Sequence, residues 1–127
     1  MNHAVIGVGS NIEPERNVQE ARRHIAQRHV VVAASPFVRT RPVGRVDQPD
    51  FTNGALLVET AVDRERFRAD LKAIEALLGR QRGENRDGPR TIDLDIVVWN
   101  GDIVDPDFYT REFLRHAVMA VLPDLEP

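Results

Sequence analysis

From Thr91 to Val98 aliphatic side chains occupy every second position, at Ile92, Leu94, Ile96 and Val98, while Asp93 and Asp95 stand between them. Successive side chains of a strand point to opposite faces, so the pattern calls for a sheet with one face in a core and two carboxylates on the other. The helix before it is equally well marked. Phe67, Leu71, Ile74, Leu77 and Leu78 form one apolar stripe, Asp63 is placed to cap its start and Gly79 to end it.

The remaining pattern extends this pair into a domain. Ala4 to Val8 read as a buried first strand leaving into Gly-Ser-Asn. Glu13-Pro14-Glu15 opens a helix, with proline tolerated and acids favoured in its first turn, and Val18, Ala21 and Ile25 continue it. Between His29 and Thr40, the residues Val30, Val31, Val32, Phe37 and Val38 predict a second strand, bent at Pro36. Pro42, Gly44 and Pro49 make the stretch from Arg41 to Asp50 a loop, and Asn53 to Thr60 returns as a third strand. The order is βαββαβ, the split arrangement of ferredoxin-like α+β domains, with helices packed on a mainly antiparallel sheet. A chain of 127 residues is the size of one domain, so a single unit over 1–127 is expected. After Asn100 the pattern supports a short helix from Phe113 to Leu122, and the terminal Pro-Asp-Leu-Glu-Pro reads as loose.

Composition excludes several functions. There are no cysteines, which removes disulfides, thiolate metal sites and a cysteine nucleophile, and makes a reducing compartment the default. Neither a basic leader nor an apolar run of bilayer length is present, so a cytoplasmic protein without membrane contact is expected. A monomer is the separate expectation for its assembly. The net charge of −3 argues against a general nucleic-acid binder. His3, His24, His29 and His116 lack metal-ligand spacing and read as ordinary surface or core residues.

Local chemistry differs from the average. Asp93 and Asp95 on one strand face lie roughly 6.5–7 Å apart at Cα, and two like charges that close call for a cation. Magnesium suits them, because it takes one or two carboxylates and completes its octahedron with phosphate oxygens and water. The plainer alternative is a polar edge strand whose acids face solvent or pair with arginines. Immediately upstream, residues 80–90 contain four arginines, two glycines and two acids. Arg80, Arg82, Arg86 and Arg90 supply guanidinium groups that grip phosphate in a bidentate way, and acids beside such arginines make a phosphoryl-transfer layout. A solvated loop with Arg82 and Arg86 paired to Glu84 and Asp87 is the alternative. Gly7-Val-Gly-Ser-Asn-Ile12 lacks the third glycine of a dinucleotide fingerprint, and no P-loop string occurs, so positive charge must come from side chains. In Asp47-Gln-Pro-Asp-Phe-Thr-Asn53, Asn53 offers paired contacts to a planar heterocycle and Phe51 a stacking surface. An Asx turn with Phe51 in the core is the simpler reading of those residues alone.

Taken together, Gly9-Ser-Asn11, the string from Asp47 to Asn53, Glu75 before Gly79-Arg80, and Gly88-Pro-Arg-Thr-Ile-Asp-Leu-Asp95 resemble the 6-hydroxymethyl-7,8-dihydropterin pyrophosphokinases of folate synthesis. The resemblance runs in order over nearly the whole chain. It implies a ferredoxin-like enzyme that moves the β,γ-diphosphate of ATP onto the pterin hydroxymethyl oxygen and releases AMP. Two Mg²⁺ ions on Asp93 and Asp95 would bridge the triphosphate. Arg82 and Arg90 match the arginines that contact ATP and stabilise developing charge, with Glu75, Arg80, Arg86 and Arg111 as further nucleotide contacts. Thr40, Pro42, Val43 and Asn53 match the pterin pocket, and Phe51 with Phe113 match the aromatic pair around the ring.

The chain departs from that pattern in places. Asp87 stands where the family usually has Trp, Lys72 where it often has Gln, and Val104-Asp-Pro-Asp-Phe108 where it usually shows a Pro-His pair. Asp87 and the missing histidine keep open a diverged paralogue with altered substrate or weak activity; a second alternative is a ferredoxin-like nucleotide- or RNA-binding module in which the arginine loop grips RNA and the acids are structural. The second is disfavoured, since carboxylates on strand four would repel phosphate without a metal.

Overall fold

Strand and helix periods alternate along the chain as its hydrophobic pattern requires, and the computed structural model describes residues 1–42, 44, 47–79 and 91–127. The elements are β1 (Asn2–Ser10), α1 (Pro14–Ala26), β2 (Val30–Ala34), β3 (Val38–Thr40), β4 (Phe51–Thr60), α2 (Arg64–Leu77), β5 (Asp93–Trp99), β6 (Asp102–Ile103), α3 (Asp107–Thr110) and α4 (Glu112–Val121). Every pairing is antiparallel, in the order β2-β4-β1-β5-β6 with β3 also on β4. With β2 and β3 taken as one broken strand, this is the ferredoxin-like order expected from βαββαβ.

The break falls where Pro36 removes a donor. Ser35 repairs the ladder there, its N–H donating to the Ala55 carbonyl at 2.9 Å and its hydroxyl accepting from the Ala55 N–H at 2.8 Å. The caps also form as expected. The Asp63 side chain accepts from the Arg66 N–H, Pro14 opens α1, and Gly79 ends α2 at a φ of 98° that favours glycine.

Two cores lie on opposite faces of the sheet. Under α1 and α2, Ala21, Ile25, Phe67 and Leu71 pack on Ala4, Ile6, Val8, Leu56, Val58 and Leu94. Truncating the fully buried Phe67 would cost ~3–5 kcal/mol. On the other face α4 sets Leu114, Val118 and Val121 against Val5, Ala55, Val97 and Val98. Leu125 joins this second core, so the terminal Pro-Asp-Leu-Glu-Pro is anchored rather than loose.

The alternation of β5 requires a second correction. Val98 does not share a face with Ile92, Leu94 and Ile96, because Ile6 pairs with Ile96 while Val5 pairs with Val98, leaving Val97 as an extra, bulged residue. Beyond the bulge Trp99 swings onto the α2 face, its ring centroid 6.0 Å from that of Phe67. Among the described residues, no helix is long and apolar enough to cross a membrane.

Candidate active site

Register determines where the site lies. On the α4 face, Asn53 of β4, Gly9 of β1 and Asp93 of β5 form one row across three strands, and Ala55, Gly7 and Asp95 form the next. Glycine in the central strand leaves a flat floor between a side-chain amide on one bank and two carboxylates on the other. A Cβ on Gly9 would lie 2.6 Å from Asn53 Oδ1, so this close approach demands glycine. Asn53 is held by its Nδ2, which donates to Thr40 Oγ1. The two residues that follow Gly9 brace the site's borders. Ser10 Oγ donates to the Thr91 carbonyl at 2.6 Å, and Asn11 Nδ2 donates to Gln48 Oε1 at 2.8 Å and to the Pro49 carbonyl at 3.1 Å.

Over this floor opens a cavity of about 390 Å³. Thr40, Phe51, Asn53, Asp93, Asp95, Arg111 and Phe113 all line it, so the structure gathers these sequence-selected residues around one space. Arg41, Asp105 and Asp107 line it as well and were not singled out from the sequence. A second groove of about 190 Å³ meets the first at Asp95 and Asp105, with Arg64, Arg68 and Lys72 as its cations and Leu71, Ile96, Val104 and Pro106 as its apolar wall.

With this geometry, the sequence profile of the 7,8-dihydro-6-hydroxymethylpterin-pyrophosphokinases matches residues 5–123. The chain belongs to the 7,8-dihydro-6-hydroxymethylpterin-pyrophosphokinase family. A 2-amino-4-hydroxy-6-hydroxymethyldihydropteridine pyrophosphokinase of Haemophilus influenzae is 32% identical over 134 residues, covering 96% of this chain and 82% of its own. One of the same name from Methylorubrum extorquens is 35% identical, covering 98% and 85%. A mitochondrial folate synthesis bifunctional protein of Pisum sativum is 38% identical over 95% of this chain and 24% of that longer protein.

Among the described residues, not every one implied by the pyrophosphokinase resemblance lines the cavity. Arg80, Arg82, Arg86, Arg90 and Val43 lie outside the described residues. Pro42 is buried beside the cavity lining at Arg41. Glu75 is 4% exposed and lines neither space among the described residues. Its Oε2 accepts the Leu94 N–H at 2.7 Å, and Lys72, one turn earlier on α2, donates to the Leu94 carbonyl at 2.9 Å. The two side chains thus satisfy the outer edge of β5 in place of a further strand. The Lys72 ammonium also lies 3.2 Å from Asp95 Oδ1.

For a divalent ion the donor chemistry fits. Asp93 and Asp95 are hard oxygen donors on one bank, and the Asp95 carboxylate already attracts a cation, the Lys72 ammonium. Two carboxylates suit an ion such as magnesium, which leaves most of its octahedron to water and phosphate. Where the two spaces meet, burial pushes the Asp105 carboxyl above its ordinary 3.8. The Asp107 N–H opposes this by donating to it, the charges of Asp107 and Asp95 add to it, and Arg111 counters them.

Proposed function

We propose that this chain transfers a diphosphate from ATP to the hydroxymethyl oxygen of 6-hydroxymethyl-7,8-dihydropterin, with magnesium, in folate biosynthesis. The hydroxyl oxygen bonds to the β-phosphorus, the bridging oxygen leaves with AMP, and the hydroxyl proton passes to solvent. The observation that carries the reading is the row Asn53, Gly9, Asp93. Two interstrand spacings separate its ends by roughly 10 Å, which lets a bicyclic ring recognised at Asn53 direct its one-carbon arm towards the acids.

Each part of the site has a task in this reading. Asn53, oriented by Thr40, presents an amide to the edge of the heterocycle, and Phe51 and Phe113 offer faces for stacking. Arg41 and Arg111, which line the cavity, supply positive charge to the diphosphate, and Arg82 and Arg90 do so from the 80–90 segment. The nucleoside occupies the second groove, where Ile96, Val104 and Pro106 give an apolar surface and Arg64 and Arg68 positive charge. Magnesium on Asp93 and Asp95 would neutralise the polyphosphate and align it for in-line displacement.

The test mixes protein, ATP, Mg²⁺ and the pterin and follows AMP. Pterin-dependent AMP release is the expected result. Binding of the pterin and an ATP analogue without AMP release would instead identify a diverged paralogue.

A further inference from the structure

An ammonium group has three hydrogens to donate, and that of Lys72 has three described acceptors. These are the Leu94 carbonyl at 2.9 Å, Glu75 Oε2 at 3.1 Å and Asp95 Oδ1 at 3.2 Å. They are unequal partners. Leu94 is backbone and Glu75 a buried carboxylate that also accepts the Leu94 N–H, so both belong to the framework. Asp95 is half exposed, with 48% of its side chain accessible, and faces the cavity. Its hydrogen bond is the one that can be exchanged.

A free divalent ion arriving at Asp95 therefore competes with a cation that already sits on Oδ1 and that two further contacts hold in place. Lys72 also lines the groove that meets the main cavity at Asp95. A polyphosphate running between the two spaces would pass within reach of its third N–H bond. We propose that Lys72 is an internal counter-ion that screens Asp95 from free divalent ions and yields it when a nucleotide polyphosphate offers a replacement acceptor. Metal and nucleotide then bind with positive coupling, each raising the affinity for the other. The inference rests on the assignment of Asp95 as a metal ligand, and Lys72 acts as a positioning residue within that site.

The experiment measures Mn²⁺ binding by electron paramagnetic resonance, with and without α,β-methylene-ATP. It compares the wild type with Lys72→Met, Lys72→Gln and Lys72→Arg, and thermal melts establish that each variant is folded. Without nucleotide, Lys72→Met should bind Mn²⁺ ~tenfold more tightly than wild type, because a competing charge has gone. Lys72→Gln, which keeps a donor for the Leu94 carbonyl, should behave in the same way, and Lys72→Arg should resemble the wild type. Coupling between Mn²⁺ and the analogue should shrink in the two neutral variants. A lowered melting temperature with unchanged Mn²⁺ affinity would reduce Lys72 to an edge clamp and overturn the proposal. Asp95→Ala separates the two levels. If it weakens Mn²⁺ binding while the Lys72 variants do not alter it, only the counter-ion role fails, whereas wild-type Mn²⁺ affinity in Asp95→Ala refutes the metal site and the inference together.

Discussion

Gly9 and Asn53 face each other across β1 and β4 so closely that a methyl group on the first would lie 2.6 Å from the amide oxygen of the second. Gly9→Ala should therefore push the amide away from Thr40 while leaving the sheet folded. Pterin affinity should fall ~tenfold, about the loss of one hydrogen bond. Calorimetric titration checks this, and a double-mutant cycle sharpens it, because Asn53→Ala should cost little more once Gly9 is Ala.

Asp95 belongs to the cavity rather than to either core, so removing its carboxylate should spare the fold. Asp95→Ala should lower the AMP-release rate by at least about a hundredfold, since metal-borne charge stabilisation is worth several kcal/mol. A wild-type rate in this variant would exclude the metal assignment.

Glu75 makes the opposite prediction. Its carboxylate is buried and accepts both the Leu94 N–H and the Lys72 ammonium. Glu75→Ala should destabilise the chain by ~3–5 kcal/mol, as breaking a buried pair does. Urea unfolding measures that loss. If stability is kept and only the KM for ATP rises, Glu75 is a nucleotide contact after all.

The Asp105 carboxyl, raised chiefly by burial, gives the pH prediction. A carboxyl that binds its proton more tightly when folded favours the folded state below its unfolded value of 3.8, and that contribution is lost as pH rises through the raised folded value. Asp105→Asn retains an acceptor for the Asp107 N–H and removes the charge. It should be more stable than wild type at pH 7, with the difference closing as pH falls towards 3.8. Thermal melts across that range decide it, and a constant difference would refute it.

Periodicity located the parts whose burial is one-sided. Phe67, Leu71, Ile74 and Leu78 of the expected stripe face the core, whereas Leu77 is exposed, because it falls outside the buried face of α2; the Asp63 cap and the break at Pro36 also follow from local rules. The two acids were legible for the same reason. Lys72 was noticed only as a departure from a family pattern, because its contact with Asp95 spans 23 positions and depends on how α2 docks against β5. Arg41, Asp105 and Asp107 come to the cavity through tertiary packing that no spacing encodes. The β5–β6 hairpin did carry a local signal. Asn100 and Gly101, at φ of 49° and 86°, are the Asn-Gly pair of a tight hairpin turn, and the weak apolar pattern after them obscured it.

The extra residue at Val97 gives β5 two independent phases. Upstream of it the pleat answers to the cavity and aims Asp93 and Asp95 at the glycine floor, while downstream it answers to the helices and seats Trp99 against Phe67. In an uninterrupted strand Asp95 and Trp99 would share a face, and any slip that improved the packing of one would rotate the other out of place. The bulge works as a clutch between them, allowing the hairpin end of the strand to be repacked without turning the carboxylates that face the cavity.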